Sequence, residues 1–328
     1  MKKLAAVLMS VVLGFGALPA AAAQKKPETN TAPAVYKTLE QLESQASGWP
    51  AVKEYTTDAV VIPGLKEAVS RSYFTGKLAS CHAMTPQGVT VMDGKLLISA
   101  YCHNYSHDSV LFVLDKDSGK YEKTVVLDGM PHVGSIAYDE GRHGVWVAAH
   151  SDHHASADFL SQEAIENAGD GEKLSWESVV ELKGLPEDSY LTMDGKDLVA
   201  GTFEKTGSVH IRWYDPDAKE EKKEVQSAFK SVKAGSNIQG IAIKDDKILV
   251  SASDGPSLTS TLTVYSLKDK KLDVNDAEKT YDLPPRAEQI WADGSTLYVC
   301  FEGAASAYRK EGTIHVDRVL CMDLDKLV

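Results

Sequence analysis

Residues 88–100 read GVTVMDGKLLISA: a short run rich in β-branched and apolar residues, an Asp-Gly pair, then a second apolar run. Asp-Gly between two apolar runs is a strong hairpin signal, because the tight turn joining paired strands needs positive φ, which these residues tolerate. The pattern returns four times, at 134–149 (GSIAYDEGRHGVWVAA), 189–202 (SYLTMDGKDLVAGT), 240–252 (GIAIKDDKILVSA) and 288–301 (EQIWADGSTLYVCF). The turn aspartates Asp93, Asp139, Asp194, Asp245 and Asp293 are spaced by 46, 55, 51 and 48 residues. Small residues recur at one place in the second run (Ala100, Ala148, Gly201, Ser251, Cys300), as expected where strands crowd a common axis.

Each copy continues into a third apolar strand, as at Val110–Leu114, Val209–Trp213, Leu262–Tyr265 and Val319–Met322. A fourth follows, as at Lys123–Leu127 and Glu177–Glu181. Four antiparallel strands per period near fifty describe a β-propeller blade. The fifth copy runs out of chain after its third strand. The missing strand is at the other end: 58–65 (DAVVIPGL) matches 123–130 (KTVVLDGM). The expectation is an all-β chain, a single five-bladed propeller over residues 55–328, with the N-terminal strand closing the C-terminal blade and removing its open edge. A six-bladed alternative needs a further blade within 35–57, where no repeat is visible.

Composition agrees with a globular chain: 328 residues, 43% hydrophobic and 25% charged. The formal charge of -12 argues against nucleic acid and anionic membrane as partners, both of which need cationic patches. Residues 1–23 read as a secretory signal peptide, with Lys2 and Lys3, an apolar stretch from Leu4 to Leu18 and a cleavage site near Ala23. A secreted or periplasmic location follows, with no transmembrane segment in the mature chain. Residues 24–54 read as a flexible leader with a short helix, opened by a capping box at Thr38–Gln41.

The repeats resemble, blade by blade, the superfamily of secreted or periplasmic propellers that includes gluconolactonase/regucalcin-like and YVTN-repeat proteins. The resemblance covers most of residues 55–328. Its members differ too widely in activity for one to be transferred.

The loop entering each first strand and the loop joining strands two and three of a propeller emerge on one face, where ligands meet the axis. Reading in register places Gln87, His132, Glu187, Asp188, Asn237, Arg286 and Glu288 at the entering positions. Tyr101, His103, Asn104, His107 and Asp108 join them from blade one, and His150, Asp152, His153 and His154 from blade two. Glu204, Asp254 and Glu302 complete the circle. Seven of the ten histidines (82, 103, 107, 132, 150, 153, 154) thus fall on one face of two adjacent blades.

This constellation predicts a divalent metal held by His132, His150, His103 and Glu187, zinc-like from its nitrogen ligands. Glu187 or Asp152 is the candidate general base for a metal-bound water. Oxygen ligands from Glu187, Asp188, Asn237 and Glu288 would instead suit calcium, as the resemblance to gluconolactonase-like proteins implies. Arg286 suits an anionic group on the ligand; its alternative is a salt bridge to Glu288 or Glu187. Gln87, Asn237, Glu288, His103 and Tyr101 complete the expected ligand-binding set, with Tyr105 and Trp146 as further apolar walls.

Four cysteines in an exported chain predict disulfides, and repeat register favours Cys81–Cys102 and Cys300–Cys321. The segment Ala157–Ala168, followed by Gly169, has helical spacing and predicts a packed helix. No G-x-S-x-G, phosphate loop or dinucleotide fingerprint occurs. The expected function is a monomeric secreted propeller that binds a small-molecule ligand with a metal at the axial mouth. A metal-dependent hydrolase, lactonase- or esterase-like, is one alternative, and a scaffold for an extracellular protein is the other.

Overall fold

The computed structural model describes residues 27–151, 154–187, 189–217 and 225–328. The chain is an all-β, five-bladed propeller. The first strands of the blades are Met84–Met92, Ile136–Asp139, Tyr190–Asp194, Ile238–Lys244 and Ala287–Asp293. Each contacts the next, and the fifth returns to the first, which closes the ring around the axis. Apolar side chains of neighbouring blades interlock between the sheets, as where Leu97 and Leu111 of blade one meet Ile136 and Val147 of blade two. That burial, rather than the hydrogen-bond ladders, holds blade to blade.

Blade five contains Ala287–Asp293, Thr296–Phe301, Arg318–Asp323 and, as its outer strand, Thr56–Val61. The closing strand runs antiparallel with Ala59 opposite Leu320 and Val60 opposite Val319. The expected closure is therefore present. Blades one to three add a further short parallel strand to their outer edge (Glu172–Lys173, Val225–Ser227 and Lys271–Leu272), each taken from the connection inside the next blade. Those additions cover edges that would otherwise be open to another chain.

The hairpin turns vary more than the repeat implies. In blade one Asp93-Gly94 forms the two-residue turn, both at positive φ. In blades three and five Asp194 and Asp293 are the last paired residues of the strand, and Gly195-Lys196 and Gly294-Ser295 make the turn. With Gly alone at positive φ in first position, these match the mirror-image turn that requires glycine there.

One expectation needs correction. The segment predicted as a helix from Ala157 is the third strand of blade two, His154–Ser161, and only Gln162–Asn167 is helical. Ala157 pairs with Ala148 and Val180, so the ladder requirement overrides the helical spacing. The leader, where described, lies against the propeller. Thr29 hydrogen-bonds Thr124 and the Val69 amide, and the backbone N–H groups of Val35 and Tyr36 donate to buried Asp317 at 2.6 and 3.0 Å. Thr38 caps the helix Leu39–Gln45, and a second helix, Pro50–Tyr55, sets Tyr55 edge-on against Tyr281 of blade four. The signal-peptide residues lie outside the described residues. No helix among the described residues is long and apolar enough to cross a membrane.

Candidate functional site

The axis is closed by a side chain. Gln289 is fully buried, and its Oε1 accepts from the backbone N–H of Val89 and Ile136 at 2.8 and 2.9 Å. Its Nε2 donates to the carbonyls of Ile136 and Leu191 at 2.6 and 3.3 Å. Gly88 and Gly240 make the room, since a Cβ at either would lie within 2.8 Å of Gln289 atoms. The amide therefore joins blade five to blades one, two and three.

Above this plug the inner ladders lose register at three places: Pro86/Val89, Ile238/Gly240 and Ala287/Ile290. Such irregularities re-aim side chains at the cost of a ladder bond. The residues they release are Gln87, Gln239, Glu288 and Gln289. The chain enters blades two, four and five through Val133, Asn237 and Arg286, all at positive φ. Left-handed backbone is uncommon for non-glycine residues and strained for a β-branched valine. Sequence reading located these loops but not their distortion, since only Asn among the three favours that region.

A buried acid pair results. Glu288 is 3% exposed and has one long hydrogen bond, from Gln239 Nε2 at 3.5 Å. Burial and the nearby Glu302 charge push its carboxyl well above the usual carboxylate range, with Arg286 opposing. Burial likewise raises Glu302, although Arg286 and Gln87 bonds pull it back. Glu302 Oε1 accepts from Arg286 Nη1 at 2.7 Å and its Oε2 from Gln87 Nε2 at 3.1 Å. Arg286 Nη2 donates to Glu311 at 2.7 Å, and its guanidinium carbon lies 3.7 Å from the centre of the Tyr308 ring. The Arg286 salt bridge thus exists, with Glu302 and Glu311 in place of Glu288 or Glu187.

An aromatic wall flanks the acids. Tyr101 packs on His132 with ring centres 4.4 Å apart, and its hydroxyl is 3.2 Å from His103 Nδ1. Tyr308 meets His103 edge-on at 5.3 Å. Burial raises both tyrosines. Tyr308 and Glu311 were missed by sequence reading. The length of the connection 302–317 between two strands was the signal, as long ordered loops are uncommon without a role. Trp146 belongs to the core: it is 3% exposed and donates to Asp139 at 3.0 Å. Tyr105 is exposed.

Among the described residues, the predicted metal ligands His103, His132 and Glu187 do not form a three-ligand cluster. Tyr101 lies against both His103 and His132, and Glu187 is exposed. Asp152, His153 and Asp188 lie outside the described residues, and His150 enters only through its backbone pairing with Ala155. Asn237 Oδ1 is buried without a partner. Among the described residues, His, Cys, Asp and Glu side chains bring three ligand atoms within 4.8 Å of one another at one place, Cys81, Cys102 and His107.

The cysteines themselves are thiols, which corrects both expected disulfides. Cys81 and Cys102 are neighbours with sulfurs 3.4 Å apart, beyond the roughly 2.05 Å of a bond. The hydrogen bond between them lowers the Cys102 thiol and raises that of Cys81. Cys321 stands opposite Tyr298, so Cys300 on the neighbouring strand is its diagonal, not its direct partner.

At the opposite end of the axis, beneath the Gln289 plug, a second concavity of about 460 Å³ is lined by the hairpin ends of all five blades. Asp93, Lys116, Tyr138, Lys244 and Trp291 face it, and Lys116 pairs with Asp293 at 3.1 Å. Sequence reading concentrated on the other face and did not anticipate it.

The chain matches no protein-family model and no curated protein. Among solved structures it is similar in overall shape to Myxococcus xanthus glutaminyl cyclase, at 12% identity and TM-score 0.48, over 80% of this chain and 95% of that one. The nidogen/laminin complex aligns at 11% identity and TM-score 0.41, over 72% and 84%. Kuenenia stuttgartiensis hydrazine synthase aligns at 11% and 0.38, over 69% and 58%. The five sheets of the chain, closed by its own N-terminal strand, define it as a β-propeller.

Proposed function

We propose that this is an exported propeller whose axial mouth binds a small ligand presenting a cationic group, an ammonium or a divalent metal, to Glu288. One observation carries the reading: Glu288 is a buried carboxyl whose only hydrogen bond among the described residues is 3.5 Å long. A carboxyl taken out of water without partners is costly in its charged form and stays protonated. A cation in the mouth supplies the missing partner and favours the charged form. Arg286 directs its terminal nitrogens to Glu302 and Glu311, and its charge offsets only part of the burial of Glu288. Tyr101, His103 and Tyr308 supply a wall on which a cation can rest.

Binding is favoured over turnover because Glu187, a candidate base, is exposed on the surface. The test is titration calorimetry of the full mature chain with calcium, zinc and a panel of small ammonium compounds. Running each in two buffers of different ionisation enthalpy reports proton release. Saturable binding that expels a proton and is lost in a folded Glu288→Gln variant supports the proposal. Binding undiminished in that variant, or none with any probe, sinks it.

A further inference from the structure

The hairpin of strands Ala68–Arg71 and Leu78–Cys81 precedes blade one and carries Cys81 to the end of the blade's second strand, Lys95–Cys102. The loop after Cys102 is fastened to this hairpin along its length. Tyr73 N–H donates to the Ser106 carbonyl at 3.1 Å, and Asp108 N–H donates to that of Arg71 at 2.9 Å. Ser70 Oγ donates to the Asp108 carbonyl at 2.7 Å, and Ser72 pairs with His107 as an isolated bridge. His107 is therefore positioned by backbone on both sides, and its Nδ1 faces the two sulfurs.

We propose that Cys81, Cys102 and His107 form a binding site for a soft metal ion, Zn²⁺ or Cu⁺, separate from the axial mouth. A tetrahedral ion with bonds of about 2.3 Å to sulfur and about 2.0 Å to nitrogen requires sulfurs about 3.8 Å apart and sulfur to nitrogen about 3.6 Å. The observed separations are 3.4 Å between the sulfurs and 3.6 Å from Cys102 Sγ to His107 Nδ1. Thiolate and imidazole are the ligands that select such ions.

The surroundings suit thiolate ligands as well. Both cysteines are 1% exposed. The Ala83 backbone N–H donates to Cys81 Sγ at 3.4 Å. Donors of this kind orient and stabilise metal-bound sulfur. Ser106 Oγ lies 3.0 Å from His107 Nδ1 and 3.6 Å from Cys102 Sγ, leaving its hydroxyl or a water as the fourth ligand. Binding the ion as two thiolates releases both thiol protons to solvent.

The test uses the full mature chain purified without an affinity tag, kept reduced, loaded with Zn²⁺ or Co²⁺ alone and dialysed. The expected result is one ion per chain by elemental analysis, with sulfur-to-cobalt charge-transfer absorption in the Co²⁺ form. Cys102→Ser and Cys81→Ser abolish both, while Cys300→Ser retains them. His107→Ala leaves both cysteines and the inner strands unaltered, so it keeps the fold and lowers affinity at least tenfold. Two outcomes overturn the proposal: reduced protein that retains no ion, or ion retained undiminished in the Cys102→Ser and His107→Ala variants. A third does so too, namely protein isolated from its own compartment with Cys81 and Cys102 joined as a disulfide.

Discussion

The side-chain amide of Gln289 in blade five forms a paired contact with the backbone of Ile136 in blade two, accepting from its N–H at 2.9 Å and donating to its carbonyl at 2.6 Å. Both backbone groups of one residue are thus read by one amide from a non-adjacent blade across the axis. Val89 N–H shares the same amide, as does the Leu191 carbonyl, which also accepts from Ser135 Oγ at 2.9 Å. Leaving such groups without partners costs more than the bonds themselves contribute.

Gln289→Ala is therefore expected to destabilise the propeller by about 2–4 kcal/mol. Gln289→Glu should be worse at neutral pH despite its similar shape, because a carboxylate can accept from Val89 and Ile136 but repels the two carbonyls. Urea unfolding of both variants against the parent measures this. An alanine variant as stable as the parent would show that water takes over the plug.

Glu288→Gln tests the electrostatics of the mouth. The Glu288 carboxyl is raised in the folded chain, so the folded state binds the extra proton between the unfolded and folded values. The stability this contributes is fully present below about pH 4.3 and is lost as pH rises through the folded value. The variant is expected to lack that decline and to be the more stable form at pH 8. Parallel unfolding curves from pH 4 to 8 decide the matter; two curves that never diverge would place the charge elsewhere.

Asp317 holds the ends of the chain together. It is fully buried, accepts from Val35 and Tyr36 N–H, and pairs with Arg318, whose guanidinium also donates to the Tyr36 carbonyl at 2.8 Å. Removing one partner of a buried pair strands the other, at about 3–5 kcal/mol. Asp317→Ala should lower stability by that order and open the segment near Tyr36 to limited proteolysis. A cleavage pattern identical to the parent's would show that the leader is held by other contacts.

The ring and its closure were legible because they rest on patterns that local chemistry imposes. Asp-Gly turns between apolar runs recur wherever a hairpin must close, and the strand from Asp58 carries the same signature as the one from Lys123. The site was legible only as a set of loops. Arg286 and Glu288 could be placed at the mouth by register, but not the ion pairs to Glu302 and Glu311, which depend on how the connection 302–317 folds back. Gln289 went unnoticed since nothing in its neighbours distinguishes a plug from an ordinary inner-strand polar residue. Register groups His103 with His132, but it cannot show that Tyr101 lies against both rings.

Asp158 offers a pH test that is independent of the mouth. It lies in the third strand of blade two, 6% exposed, with Ser156 Oγ donating to it at 2.9 Å. Burial pushes its carboxyl up to about 6, and the Ser156 bond offsets only part of this. A raised acid stabilises the fold below its unfolded value, near 3.9, and that contribution disappears as pH climbs to about 6. Above pH 7 the buried charge costs on the order of 3 kcal/mol. Asp158→Asn keeps an acceptor for Ser156 and removes the charge, so it should match the parent near pH 4 and exceed its stability by about 2–3 kcal/mol at pH 8. Denaturant midpoints at those two values measure the difference. Equal midpoints at pH 8 would mean that water reaches the carboxylate and leaves it charged at little cost.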